Sequence, residues 1–81
     1  MQACDVIAQF DGTGKVIPLK FRVREGDEYR VVTIKSCIEL TQSQRKDIKR
    51  YRCKVVINDI LRECELIFYK DNLKWFLAYI K

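Results

Sequence analysis

The sequence predicts an all-β domain, in which six antiparallel strands form a meander that curls into a small barrel or a strongly bent sheet. Apolar and polar residues alternate with a period of two along most of the 81 residues, as they do in strands with one buried face. Short groups of glycine, aspartate and asparagine separate the alternating stretches and indicate turns. Closure is expected because it removes exposed sheet edges, and a chain of this length predicts a single domain over residues 1–81.

The first half of the chain predicts three strands, over residues 4–10, 16–24 and 29–40, separated by turns at 11–14 and 25–28. In the second strand, Pro18 cannot donate a ladder hydrogen bond and therefore indicates an edge or a bulge. The residues predicted to face the core there are Ile17, Leu19, Phe21 and Val23. Those predicted to share one face of the third strand are Val32, Ile34, Ser36, Ile38 and Leu40.

The second half predicts a polar loop over 41–47 and three further strands. Thr41 and Gln44 resemble a helix cap, so the loop has room for one helical turn. Alternation from residue 50 to 57 places Tyr51 and Cys53 inside, and the two-residue turn Asn58-Asp59 leads into a strand over 60–69. Residues 73–80 fit both helical and strand spacing; aromatic content and the three-residue turn before them favour a strand, with a helix as the alternative.

The residue types exclude several kinds of catalytic site. The chain has no histidine, which removes Ser-His-Asp and Cys-His catalysis. Glu63 and Glu65 are two apart on a strand, and we interpret them as a solvated acidic face rather than an acid–base pair. The four cysteines contain no C-x-x-C motif and are predicted to be buried thiols rather than a zinc site. We therefore predict no enzymatic activity, no metal site and no cofactor.

The sequence also bears on location. The first ten residues include Asp5 and lack the basic start of a signal peptide. No stretch approaches the roughly 18 apolar residues that cross a membrane as a helix. We expect a cytoplasmic protein with reduced thiols and no membrane association.

The positive charge is concentrated in one part of the chain. The net charge of +5 equals that of residues 41–54, which hold six basic residues and one acid. Such a segment can neutralise phosphates, so it is the candidate site for nucleic acid or another polyanion. The alternating pattern of a strand with a polar outer face explains half of these charges without any ligand. The candidate polyanion-binding residues are Arg45, Lys46, Arg50, Arg52 and Lys54.

Several predicted strands are apolar on both faces, which indicates a partner. Val31, Ile67 and Phe76 lie out of phase with the predicted core, and one small barrel has only one interior. A second copy of the chain is the simplest cover for these residues, and short chains gain stability by association. The preferred hypothesis is a non-enzymatic interaction module that forms a homo-oligomer, with a dimer as the expected state; nucleic-acid binding is the alternative.

A series of turn and core motifs resembles a family of short uncharacterised β-rich proteins from Gram-positive bacteria. The motifs are Phe10-Asp11-Gly12, the stretch 16–21, Gly26 with Tyr29, Arg50-Tyr51-Arg52-Cys53, the stretch 66–69 and Lys74-Trp75-Phe76. The resemblance spans most of the chain except residues 35–48. It implies a compact β-rich domain encoded as a stand-alone protein, and it implies no activity.

Overall fold

A computed structural model of the chain describes residues 1–40 and 45–81. The described residues form six antiparallel strands that close into a barrel in chain order, which confirms the predicted fold. The possible helix cap at Thr41 and Gln44 lies outside the described residues. The strands are β1 (Gln2–Phe10), β2 (Val16–Glu25), β3 (Glu28–Leu40), β4 (Ile48–Ile57), β5 (Ile60–Tyr69) and β6 (Lys74–Ile80).

The barrel closes through a short seam between its first and last strands. Only Gln2, Ala3 and Cys4 of β1 pair with β6, opposite Trp75–Leu77. By contrast, β4 and β5 pair along their whole lengths. The last segment is therefore a strand, because it pairs with β5 on one side and β1 on the other, and the helical alternative is wrong.

The tight turn between β4 and β5 sets the register of that hairpin. Asn58 and Asp59 both have positive φ, at 52° and 63°. Two such residues make a type I′ turn, whose twist matches that of the flanking strands. Ile57 consequently lies directly opposite Ile60, and every later pair on the two strands follows from it.

A β-bulge changes which side chains of β2 face inward. The register with β1 shifts between Ile7 and Ala8, so that Leu19 is an extra residue on β2. Val16 and Pro18 are buried, whereas Leu19 is 43% exposed. The predicted inward orientation holds for Phe21 and Val23 but is wrong for Ile17 and Leu19, because the bulge reverses the alternation before Lys20.

A second β-bulge changes which side chains of β3 face inward. Lys35 is the extra residue, since Ile34 pairs with Val55 and Ser36 already with Lys54. Cys37, rather than Ser36, then packs against the core, and Ile38 is 59% exposed. The predicted grouping of Ser36, Ile38 and Leu40 with Val32 is therefore wrong.

The interior combines aliphatic, thiol and aromatic side chains. Trp75 stacks on Phe68, with ring centroids 4.5 Å apart, and lies 5.8 Å from Tyr51. The Tyr51 side chain is buried, which raises the pKa of its hydroxyl, and that hydroxyl has no hydrogen-bond partner among the described residues. The buried core residues are Val16, Phe21, Val23, Val32, Tyr51, Cys53, Val55, Ile57, Cys64, Leu66, Phe68 and Leu77.

Candidate interaction surfaces

The β4–β5 ladder places the predicted basic residues opposite acids on the outer face of the barrel. Lys54 lies directly opposite Glu63, and Arg52 directly opposite Glu65. Counting from the turn pair Ile57–Ile60, both are non-hydrogen-bonded pairs, in which side chains approach each other most closely. The basic side chains of β4 and the acidic side chains of β5 can therefore neutralise one another across the two strands.

Arg50 pairs with Glu65, the one buried acid among the residues that the structure describes. Its guanidinium donates to the Glu65 carboxylate, with Arg50 Nε 2.7 Å from Glu65 Oε2, and Glu65 is only 3% exposed. The expected solvated acidic face is therefore wrong for Glu65. Because the Arg50 charge is neutralised at this buried pair, Arg50 is poorly available to an external anion.

Glu63, by contrast, is shared by three cations. Its carboxylate lies 3.9 Å from Arg52, 3.5 Å from Lys54 and 3.6 Å from Lys81. The three basic side chains are 46%, 53% and 71% exposed. We call these four residues the Glu63 cluster; one carboxylate among three cations leaves a local charge of +2.

The remaining predicted residues lie at the start of the basic segment. Arg45 forms a two-pronged ion pair with Asp47, and this pair lowers the pKa of the Asp47 carboxyl. Lys49 lies 3.3 Å from Glu39. Lys46 is exposed and has no ion-pair partner within residues 1–40 and 45–81.

The charge of the predicted site is thus smaller than the sequence indicates. Five of the six cations of the segment, together with Lys81, pair with four carboxylates: Asp47, Glu39, Glu63 and Glu65. Lys46 is the sixth cation. The net charge of the assembled surface is +3, compared with +5 for residues 41–54 taken alone. The structure brings Arg52 and Lys54 together, whereas Arg45 and Arg50 are each occupied by a separate acid.

A second surface lies on the outer side of β1, β2 and β3. Ile7, Tyr29 and Val31 are 56%, 52% and 63% exposed there. The residues that define this β1–β3 face are Asp5, Ile7, Lys20, Arg22, Tyr29 and Val31. A groove of about 460 Å³ runs across it, lined by all of these except Tyr29, together with Val6 and Phe21.

The β1–β3 face carries both signs of charge beside its apolar residues. Arg22 Nε lies 2.7 Å from Asp5 Oδ2, and the guanidinium also sits 4.2 Å from the centroid of the Tyr29 ring. The hydrogen bond to Asp5 raises the pKa of Arg22, which stays charged. Lys20 is exposed and pairs with no acid in the part of the chain that the structure describes.

Some of the apolar residues that lie outside the core are covered by the chain itself. Ile67 is only 9% exposed although it points away from the core cluster, between Arg50 on β4 and Phe76 on β6. Tyr69 packs edge-on against Phe76, with ring centroids 5.3 Å apart. Val31 has no such cover and is exposed on the β1–β3 face.

Comparisons with known proteins add no further constraint. No family model, curated protein or solved structure matches the chain. The resemblance to short Gram-positive proteins therefore stays a prediction. Within the described ranges, no helix is long and apolar enough to cross a membrane, and no group of three or more cysteine, aspartate or glutamate side chains is arranged to hold a metal ion.

Sequence reasoning missed two residues of these surfaces, Lys81 and Tyr29, and misjudged the burial of a third, Glu65. Lys81 lies 27 positions after Lys54 and reaches Glu63 only because β6 pairs with β5. Tyr29 follows a turn, and its place beside Arg22 depends on the β2–β3 register. The signal for Glu65 was present in the alternation, which puts it opposite Arg52, but alternation cannot show burial on an outer face.

Proposed function

We propose that the chain is a small, non-enzymatic, cytoplasmic interaction module that self-associates through the β1–β3 face. The observation that supports this most directly is the exposure of Ile7, Tyr29 and Val31 on one sheet face, on the two sides of β2. Exposed apolar groups of this kind mark interaction surfaces on soluble proteins. A chain of 81 residues also buries a small share of its surface alone and gains stability from a second copy.

The charges of this face favour a second copy over an unrelated partner. In a twofold interface the same patch meets itself, so it must carry complementary groups. The β1–β3 face holds Asp5 together with Lys20 and Arg22 around the groove. Asp5 of one copy can therefore pair with Lys20 of the other, while Ile7 and Val31 of both copies bury each other.

Analytical ultracentrifugation at micromolar protein tests this proposal. We expect a mass near twice the 9.7 kDa of one chain. Val31→Glu places two like charges in the interface and is expected to weaken the dimer by at least about 30-fold. Ile38→Glu is the matched control, because Ile38 is 59% exposed on the same strand beyond the bulge. A monomer at all concentrations, or equal weakening by both variants, would refute the proposal.

A second candidate function is binding of nucleic acid or another polyanion at the Glu63 cluster. The observation that favours it is the excess of three exposed cations over one carboxylate. Lys46 adds a further exposed charge from the predicted set. Lysine and arginine in such an arrangement neutralise phosphates, and binding then weakens with salt.

Fluorescence anisotropy with a single-stranded oligonucleotide tests the second candidate. We expect Glu63→Gln to strengthen binding and the double variant Lys54→Gln, Lys81→Gln to weaken it. The double variant should also reduce the slope of log affinity against log salt by about 1.4, since each lost phosphate contact contributes roughly 0.7. Lys74→Gln, at the far end of β6, is the control for net charge. Absence of binding at low salt would rule this function out.

A further inference from the structure

The four cysteines meet inside the barrel although they lie far apart in the sequence. Cys37 of β3 lies opposite Cys53 of β4, and Cys53 lies opposite Cys64 of β5. Burial raises the pKa of the Cys4 thiol of β1, and the nearby charges of Asp5 and Cys64 raise it further. All four are free thiols; Cys53 and Cys64 are fully buried, whereas Cys37 is partly exposed.

The turn between β4 and β5 determines which of these pairs is hydrogen-bonded. In a two-residue hairpin the residues that flank the turn, here Ile57 and Ile60, exchange backbone hydrogen bonds, and the pairs then alternate in type. Cys53 and Cys64 are four pairs further along and are therefore a hydrogen-bonded pair. The backbone groups of Cys53 thus point toward β5, so its pairing with Cys37 on the β3 side is of the non-hydrogen-bonded type.

This difference in pair type favours one of the two cysteine pairs for a disulfide. Directly opposed Cα atoms are about 4.5 Å apart in non-hydrogen-bonded pairs and about 5.5 Å apart in hydrogen-bonded pairs. The Cβ atoms of opposed residues are about 4.5–5.5 Å apart and are also closer in non-hydrogen-bonded pairs. Because a disulfide needs Cβ atoms about 3.5–4.5 Å apart, the non-hydrogen-bonded pair requires the smaller backbone movement. The Cys53 thiol lies within hydrogen-bonding reach of both the Cys64 and the Cys37 thiols. The Cys37–Cys53 pair has the closer backbone spacing and, unlike Cys53–Cys64, it includes a thiol that a solute can reach.

We propose that Cys37 and Cys53 form an oxidation site, at which a peroxide converts the two thiols into a disulfide that joins β3 to β4. The proposal does not rest on self-association or on polyanion binding. Cys37 is the residue that meets the peroxide, because it is partly exposed. Cys53 is the residue that resolves the oxidised sulfur, because it is buried directly opposite.

The chemistry proceeds in two balanced steps. The Cys37 thiolate attacks one oxygen of hydrogen peroxide, so that an S–O bond forms, the O–O bond breaks and hydroxide leaves. The Cys53 thiolate then attacks the Cys37 sulfur, so that the S–S bond forms, the S–O bond breaks and a second hydroxide leaves. The two thiol protons combine with the two hydroxides, and one peroxide and two thiols yield one disulfide and two water molecules.

The setting of Cys37 predicts a slow reaction at neutral pH. Burial raises the pKa of the Cys37 thiol, and the neighbouring Cys53 thiol only partly offsets this by hydrogen bonding. Because the thiolate is the reactive form, the rate of disulfide formation should rise about tenfold per pH unit below that pKa. Oxidation is therefore expected to need strong or sustained peroxide exposure at pH 7 and to be faster at pH 9.

Mass spectrometry of the peroxide-treated protein tests the site. We expect a loss of two hydrogen atoms from the intact mass and, after proteolysis without reductant, a linked pair of peptides that contain Cys37 and Cys53. Cys37→Ser should abolish this link, whereas Cys4→Ser and Cys64→Ser should retain it. The ring closed by the disulfide holds Arg45 and Lys46, and closure of such a loop is expected to raise the melting temperature by several degrees.

The peptide map of the unmodified chain decides the outcome even if a variant fails to fold. A link between Cys53 and Cys64, or between Cys4 and Cys64, would overturn the hairpin argument. A link between two chains, visible as a dimer on a non-reducing gel, would overturn the intramolecular site. Addition of oxygen atoms without loss of hydrogen would show that Cys37 is oxidised and never resolved by Cys53, which also contradicts the proposal.

Discussion

Glu65 shows how strongly a single residue can depart from its sequence pattern. Alternation places it on the outer face with Glu63, yet it is 3% exposed and its carboxylate accepts from the Arg50 guanidinium. A buried carboxylate is costly unless a charged partner satisfies it. The pair therefore matters to folding, whereas Glu63, whose side chain is partly exposed, matters to the charge of the surface.

We expect Glu65→Gln to lower the free energy of unfolding by about 2 kcal/mol. The neutral amide cannot compensate Arg50, and loss of one partner from a buried pair costs about 3–5 kcal/mol, reduced here because the Arg50 side chain is 38% exposed. Urea denaturation measures the change. The control is Glu25→Gln, which removes an exposed ion pair with Arg30 and should cost less than about 0.5 kcal/mol. Equal losses of unfolding free energy in the two variants would show that the buried Glu65–Arg50 pair contributes no more than an exposed ion pair.

At the scale of the element, the turn into β6 contains a backbone conformation that its residue disfavours. Leu73 has a φ of 56°, in the left-handed region, and its side chain is 72% exposed. This conformation costs a residue with a Cβ atom, such as leucine, roughly 1–2 kcal/mol, and it costs glycine almost nothing. The exposed side chain contributes little packing that would offset the cost.

Leu73→Gly is therefore expected to raise the free energy of unfolding by about 0.5–1 kcal/mol, after the greater flexibility of glycine in the unfolded chain is subtracted. Thermal denaturation should show a higher midpoint. Leu61→Gly is the matched control, because Leu61 is 64% exposed but lies within β5, where glycine should destabilise by a similar amount. A loss of stability in both variants would contradict the assignment of strain to the turn.

The bulges show what can be predicted about an element and what cannot. Alternation gave six strands at nearly the right positions, because a strand with one buried face must repeat every two residues. The prediction from alternation also assumed that inward and outward side chains alternate without interruption along each strand. Leu19 and Lys35 are each an extra residue opposite one partner position, and nothing local marks Lys35 as such. Pro18 did indicate a bulge nearby, since it cannot donate to a ladder.

On the scale of the whole molecule, pairing between strands redistributes the charge of the basic segment. Residues 41–54 account for the net charge of the chain, but the β4–β5 hairpin brings Glu63 and Glu65 against them. Antiparallel neighbours naturally place opposite charges together across strands. The β1–β3 face, with its exposed Ile7, Tyr29 and Val31, is a different surface. This separation allows self-association and polyanion binding to be tested independently.

The sequence by itself determined the strand number and the all-β class, because these depend on period and turn chemistry. Only the tertiary structure decided which ends of β1 and β6 close the barrel, which acid each cation meets and which cysteines lie opposite each other. Those features depend on register between strands that are distant in the chain. Register changes by one residue at each bulge, and a one-residue change moves every following side chain to the opposite face.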